Sequence, residues 1–310
     1  MCSRAASLVR VPLSETIVMH EDLIARIGKA LQEAQGQDAT HEALRSGDRP
    51  DFKVVKDTPA VAHQIVYTRT RCVDTPRDSL RENRIVSGFN QCLFTDACKI
   101  LSTQVSQKLR ANDWNTLAVT SPGRREGKTL TAINLAISLA TESNQTALLV
   151  DADLRRPSVS DYFGLQSGPG LSDYLLSDTP VDQLLVHPGV AGLVILPGGA
   201  PMLNSSEALG GRKMAELVKE LKGRYPARIV LFDLPPLLHT ADVLAFAPSI
   251  DAALMVVEEG RTSRSDFMRA AELLSSTHLI GTVLNKSKEL RMPAERSSGW
   301  WTGPFTRGSN

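Results

Sequence analysis

The chain has 310 residues, 42% of them hydrophobic, and a formal net charge of +1. That length and apolar content suit one large domain, or one domain with an appendage. The near-neutral charge removes any bulk electrostatic case for binding nucleic acid or an anionic membrane. The longest apolar stretches are strand-sized and broken by Asp or Pro, too short to span a bilayer. Met-Cys-Ser-Arg-Ala-Ala at the start is followed by no signal core. From Glu21 to Ala34, Leu23, Ile24, Ile27 and Leu31 fall at helical spacing opposite a polar face. This predicts an amphipathic helix that docks on a partner or packs on its own domain. Residues 35–84 are polar and charge-rich, with one β-like patch at Gln64-Ile-Val-Tyr67, and read as a loosely ordered linker. Residues 1–85 are therefore expected to be a poorly ordered N-terminal extension. The four cysteines, Cys2, Cys72, Cys92 and Cys98, show no C-x-x-C spacing and read as thiols in a reducing cytosol.

Regular alternation starts after residue 85. A helix is predicted over Asp96–Arg110. Strands follow at Leu117–Thr120, Ala147–Val150, Leu193–Leu196, Ile229–Phe232, Ala252–Val257 and Ile280–Leu284. Helical segments intervene, notably Lys213–Leu221 and Ser265–Ser275. This pattern predicts an α/β fold over residues 86–290, a doubly wound, mostly parallel sheet with its ligand beyond the strand carboxyl ends. Residues 291–310 carry Trp300, Trp301 and Phe305 without periodicity and are expected to form a flexible tail.

The chemistry is concentrated where strands end. Ser121-Pro-Gly-Arg-Arg-Glu-Gly-Lys-Thr129 lies between the apolar run Leu117–Thr120 and the helical run Leu130–Ala140. Strand, loop and helix are the context of a P-loop, although Pro122 stands where the usual first glycine would be. Backbone N–H groups at such a turn bind phosphates, and Gly127 lets the chain approach them. Arg125, Glu126, Gly127, Lys128, Thr129 and Leu130 are the candidate nucleotide contacts, with Lys128 on the phosphates and Thr129 on Mg²⁺. Two further strands end in acid, at Asp151-Ala-Asp153 and at Asp233. Asp151 and Asp233 are candidate metal ligands. Asp151 and Asp153 stand two apart, so both carboxylates would face the cleft, one organising the metal and one accepting a proton. Asp151 is expected to be the nearer to Lys128. The plainer alternative for this pair is capping of the helix that follows. Arg155 and Arg156 read equally as phosphate-stabilising groups or as surface salt bridges. Asn285 reads as an adenine contact or a turn residue.

In this order the motifs resemble the kinase domain of bacterial tyrosine kinases, the CpsD/CapB-like autokinases of exopolysaccharide export, over residues 90–287. The resemblance rests on Glu126-Gly-Lys-Thr129, Val150-Asp-Ala-Asp-Leu-Arg-Arg-Pro157, Gly170-Leu-Ser-Asp-Tyr174, Leu196-Pro-Gly-Gly199, Asn204-Ser-Ser-Glu207 and Phe232-Asp-Leu-Pro-Pro236. It implies a MinD/ParA-related P-loop fold and Mg-ATP as substrate. Lys128, Asp151, Asp153 and Asp233 would be the catalytic set. The implied partner is a membrane polysaccharide chain-length determinant, or co-polymerase, reached from the cytoplasm. Asp242 also resembles a family position, without a chemical assignment. The chain departs from the pattern in three places, one being the loop, where Arg124 and Arg125 stand for the smaller residues of similar chains. Its four tyrosines are Tyr67, Tyr162, Tyr174 and Tyr225, so the C-terminal tyrosine cluster is missing. The oligomerisation stretch E-x-x-R-x-x-R reads Asp96-Ala-Cys-Lys99-Ile-Leu-Ser102, which leaves a homo-oligomer possible but altered. Besides a kinase, the sequence admits a non-catalytic ATP-binding regulator or a ParA/MinD-like positioning ATPase. The extra early lysine of the last class is replaced by Gly123.

Overall fold

The computed structural model describes residues 70–85, 93–141, 145–177, 179–224 and 228–287. The expected helix at residues 21–34, the β-like patch at 64–67 and the tail at 291–310 lie outside the described residues. The described strands are β1 (Arg71–Cys72), β2 (Thr116–Thr120), β3 (Thr146–Asp151), β4 (Val186–His187), β5 (Leu193–Leu196), β6 (Arg228–Asp233), β7 (Ala252–Glu258) and β8 (His278–Asn285). They form one eight-stranded sheet in the order β1-β4-β5-β3-β6-β2-β7-β8. Every pairing is parallel except β4 with β5. Each of the six predicted strands is present, extended by a residue or two at one or both ends except Leu193–Leu196.

Central parallel strands are buried on both faces, which is why they read as unbroken apolar runs. Alternate residues serve opposite sides. Leu117, Val119, Leu149 and Leu231 join one hydrophobic cluster with the helices Leu93–Ala111 and Lys128–Thr141, through Val105, Leu109, Ile133 and Ile137. Ala118, Leu148, Val150 and Phe232 join the other with Met214 and Leu217 of the helix Arg212–Arg224 and Ala270 of the helix Arg264–Leu273. The result is a three-layer sandwich with a core on each side of the sheet.

The boundary expected at residue 85 falls inside packed structure. β1 adds to the sheet edge through β4. Leu80, on the short helix Arg77–Glu82, and Ile85 are buried against Val105, Leu109 and Ile133. The packed unit therefore includes residues 70–85. A two-residue strand and a helix burying one leucine leave no periodicity to detect, and the charged residues around them resemble a linker.

Register brings the acids together. In the β3–β6 ladder Asp151 pairs with Asp233, and Val119 of β2 pairs with Asp233 on its other side. β2 runs directly into the loop 121–127, and the next helix starts at Lys128. The loop thus rises beside two strands that both end in aspartate, at the carboxyl edge of the sheet where α/β folds bind ligands.

Candidate active site

Gly127 fixes the loop conformation. Its φ is +95°, and a Cβ there would overlap the Asn285 side-chain nitrogen. Glycine is needed both for the backbone angle and for the close approach. The Asn285 amide donates to the Glu126 carbonyl at 2.9 Å, so it ties the end of β8 to the loop. Asn285 lines the cavity, and this donor is engaged by the protein itself. Glu126, expected among the nucleotide contacts, is buried, and its carboxylate accepts from the Gly123 N–H at 2.7 Å and the Thr262 hydroxyl at 2.5 Å. Only its main chain is left to meet a phosphate. Arg125 has φ +64°, and its carbonyl accepts from Lys286 Nζ at 2.7 Å. Leu130 lines the cavity beside Lys128 and Thr129.

On the other side of the loop lies the carboxylate cluster. Lys128 Nζ is 2.9 Å from Asp153 Oδ2 and 3.3 Å from Asp233 Oδ1. The Thr129 hydroxyl donates to Asp233 Oδ2 at 2.7 Å. The expectation that Asp151 stands nearer Lys128 is reversed: Asp153 makes the contact and lines the cavity. Asp151 Oδ2 accepts from the N–H groups of Ser158 and Val159 at 2.8 and 2.9 Å, capping the short helix Val159–Tyr162. Asp151 Oδ1 is buried without a partner. The capping alternative applies to a segment starting at Leu154, whereas the helix that Asp151 caps starts at Val159. Asp153 Oδ1 accepts from the Arg156 N–H at 3.3 Å, so Asp153 also closes a local turn.

Asp151 is fully buried because two segments close over it. A Cβ on Gly198 would come within 3.3 Å of the Asp151 carboxyl carbon, and Pro157 crowds the same glycine. The Leu196–Gly199 segment is in turn held by the N–H groups of Leu171 and Ser172, which donate to Pro197 and Gly198. Sequence reasoning about single strands gave no hint of this lid. The Gly198-Gly199 pair was the available signal, since adjacent glycines mark a close backbone approach.

Burial dominates the electrostatics. It pushes the Asp151 carboxyl up to about 7, helped by the neighbouring Asp233 charge and opposed by the two capping N–H groups and Lys128. Burial raises Asp233 as well, against the pull of Lys128 and Thr129. For Lys128, burial disfavours the ammonium, but Asp233, Asp153 and Asp151 outweigh it and keep the side chain protonated. Three carboxyl groups stand near one ammonium, so ionising all of them would leave excess negative charge in a water-poor site.

The donor set fits Mg²⁺. Among the described residues no three His, Cys, Asp or Glu side chains come close enough to hold an ion unaided. Mg²⁺ is commonly held by one or two carboxylates plus phosphates and water, so it needs no such cage. The orphaned Asp151 oxygen, the excess charge and the Thr129 hydroxyl are the features such a site requires. The adjoining cavity of about 1070 Å³ is large enough for a nucleoside triphosphate.

Comparison with known proteins decides the family. The chain is 30% identical over 220 residues to the tyrosine-protein kinase YwqD of Bacillus subtilis, a match over 68% of this chain and 92% of that one. The chain belongs to the bacterial tyrosine-protein kinases. No protein-family model matches it. The solved kinase domain of the Escherichia coli tyrosine kinase Etk superposes with a TM-score of 0.59 at 27% identity, covering 66% of this chain and 80% of that domain. The succinoglycan biosynthesis transport protein ExoP of Rhizobium meliloti is 29% identical over 228 residues, 72% of this chain but 28% of that protein. Like the other family members, this chain is a protein-tyrosine kinase on a P-loop fold.

Among the departures from the family pattern, Asp96 and Lys99 form an exposed pair at 4.0 Å. Ser102 is buried and donates to the Lys99 carbonyl, so the third position of that stretch faces its own helix. Tyr162 and Tyr174 are partly buried. Tyr67 and Tyr225 lie outside the described residues.

Proposed function

We propose that this kinase transfers the γ-phosphoryl group of Mg-ATP to tyrosine in exopolysaccharide biosynthesis. The observation that carries the proposal is the buried cluster of Asp151, Asp153 and Asp233 around Lys128, at the mouth of a nucleotide-sized cavity. When bound, Mg²⁺ would neutralise charge on the phosphate oxygens. Lys128 leaves its carboxylates to hold the β- and γ-phosphates. The Thr129 hydroxyl, Asp233 and the free Asp151 oxygen would hold the metal. Asp153 faces the cavity and takes the tyrosine proton. This divides the roles left open between Asp151 and Asp153: the acid sealed off from the cavity serves the metal and the one that lines it serves the acceptor. The main-chain N–H groups of residues 125–130 cradle the phosphates, and the Asn285 side chain borders the base.

ExoP supports the biological setting by its name and the partner by its length. The present chain matches only 28% of it. We propose that a membrane polysaccharide co-polymerase holds this kinase at the cytoplasmic face. Among the described residues no helix is long and apolar enough to cross a membrane. Copies of the chain would associate around that partner.

The test is incubation of the purified protein with γ-labelled ATP and Mg²⁺, with and without a co-polymerase cytoplasmic segment, followed by phosphosite mapping. Label on tyrosine that vanishes in Lys128→Ala is the expected result, and mapping it would identify the acceptor. Tight ATP binding with no label under either condition would overturn the proposal in favour of a nucleotide-sensing regulator.

A further inference from the structure

Arg155 follows Asp153 by two residues and lines the same cavity as Lys128 and Thr129. Its side chain is 42% exposed, which taken alone suggests a surface ion pair of little consequence. Its partner indicates otherwise. Asp242 begins the helix Asp242–Phe246 and is completely buried. Arg155 Nε donates to Asp242 Oδ1 at 3.3 Å, and the Ser206 hydroxyl donates to the same oxygen at 2.8 Å. Asp242 Oδ2 and the nearby Ser205 and Thr240 hydroxyls are buried without partners.

Burying a carboxylate is costly unless it is well paired and hydrogen-bonded. A half-exposed arginine and one hydroxyl compensate this one poorly, so stability does not explain why it is there. Orientation does. Guanidinium offers five N–H donors in a planar fork. A bond at Nε fixes the plane and leaves both terminal nitrogens without a partner among the described residues. Arg156 also lines the cavity, yet its side chain makes no hydrogen bond or ion pair among the described residues. Arg212 and Glu216 show the ordinary surface case, 90% and 57% exposed on one helix. Only Arg155 of these three is held from the interior.

We infer that Arg155 is a catalytic cation whose terminal nitrogens contact the phosphoryl group in transit, and that Asp242, with Ser206, is the positioning residue that aims it. The inference rests on the phosphotransfer reading above. In that step the bond from the γ-phosphorus to the bridging oxygen breaks and its electron pair leaves on ADP. A bond to the phenol oxygen forms, and the phenol proton passes to Asp153. Arg155 donates hydrogen bonds only, to oxygens whose charge grows as the group moves.

The test measures ADP formation by the full chain with Mg-ATP, which reads turnover whatever the acceptor. Arg155→Ala should lower kcat by about 10²-fold or more while the KM for ATP moves by less than about threefold. Millimolar guanidinium ion should restore part of the loss. Arg155→Lys, which keeps charge but not the fork, should recover only partly. Asp242→Asn should lower kcat by roughly tenfold, and the double variant should match Arg155→Ala alone, because Asp242 acts through Arg155. Circular dichroism on each variant confirms folding. An Arg155→Ala kcat within about threefold of the parent would overturn the catalytic assignment. A double variant showing the product of the two single losses would overturn the positioning role. Lys128→Ala separates the two levels. If it stops ADP formation while no phosphotyrosine appears in any sample, the tyrosine reading fails and Arg155 is still tested. If it leaves ADP formation intact, the site itself is misassigned and the inference falls with it.

Discussion

The phosphate loop is held between two polar clusters of opposite character. On the β8 side, Glu126, Thr262, Glu258 and Lys286 form a chain of satisfied contacts. Thr262 donates to Glu126, the Glu258 N–H donates to Thr262, and Lys286 donates to both Glu258 and Arg125. On the β3 side, Asp153 and Asp233 share one ammonium, and one oxygen of the neighbouring Asp151 has no partner. The first cluster has what a brace needs. The second stores unfavourable charge, which is what a site prepared for a cation and a phosphate needs. The difference teaches that the same residue types serve scaffold or chemistry according to whether their charge is compensated.

The two sides also respond to pH with opposite sign. Asp151 is raised to about 7 by burial and the Asp233 charge. Its folded-state value lies above its unfolded value, so its contribution to stability is full in acid and is lost as pH rises toward 7. Glu258 is lowered, chiefly by its hydrogen bond to Lys286. Its contribution is present above the ordinary glutamate range and is lost as pH falls through the depressed value.

The strongest way to break this contrast is to remove the central cation or the loop geometry. Lys128→Ala should cut phosphoryl transfer by roughly 10²–10³-fold. Gly127→Ala, forced against Asn285 at a positive φ, should abolish ATP binding measured by calorimetry. Transfer at the parent level in either folded variant would remove the site from consideration. Asp151→Asn comes next. Removing a strained buried charge should raise the apo melting temperature by a few degrees and flatten its fall between about pH 4 and 7, while Mg²⁺-dependent transfer drops sharply. In the parent, Mg²⁺ activation should weaken below about pH 7, where a proton competes for that oxygen; Asp151→Asn should lose this dependence. A melting temperature lower than the parent's would mean that Asp151 is structural. The brace should be milder. Thr262→Val removes both hydrogen bonds of that hydroxyl, should cost about 1–3 kcal/mol in denaturant unfolding and should raise the KM for ATP a few-fold. Lys286→Ala, partly exposed, should change stability by less than about 1 kcal/mol, mainly near neutral pH where Glu258 is ionised and least in acid. If Lys286→Ala affected transfer as much as Lys128→Ala, the division into brace and chemistry would fail.

Much of this was legible in the chain. Parallel strands buried on both faces announced themselves as apolar runs ending in acid, so the sheet, the loop and Asp233 could be placed from local pattern. The edge was not legible: Arg71–Cys72 and Val186–His187 are too short to carry a period, and only their pairing makes them strands. The ranking of Asp151 and Asp153 failed for a related reason. Alternation says which way a side chain leaves a strand, and Asp153 lies beyond the end of β3, where alternation no longer holds. Asp242 and Arg155 are 87 positions apart, and no local signal joins them.

What the sequence determined by itself was therefore the local physics. Gly127, Lys128 and Thr129 make a phosphate turn wherever a strand meets a helix, and apolar runs of that length pair in parallel. What the tertiary structure decided was the solvation of each charge. Gly198 and Pro157 close over Asp151, Asp233 stands in register beside it, and Asp242 reaches Arg155 from another element. A carboxylate's proton affinity depends on how much water and which charges surround it, and those come from segments distant in the chain.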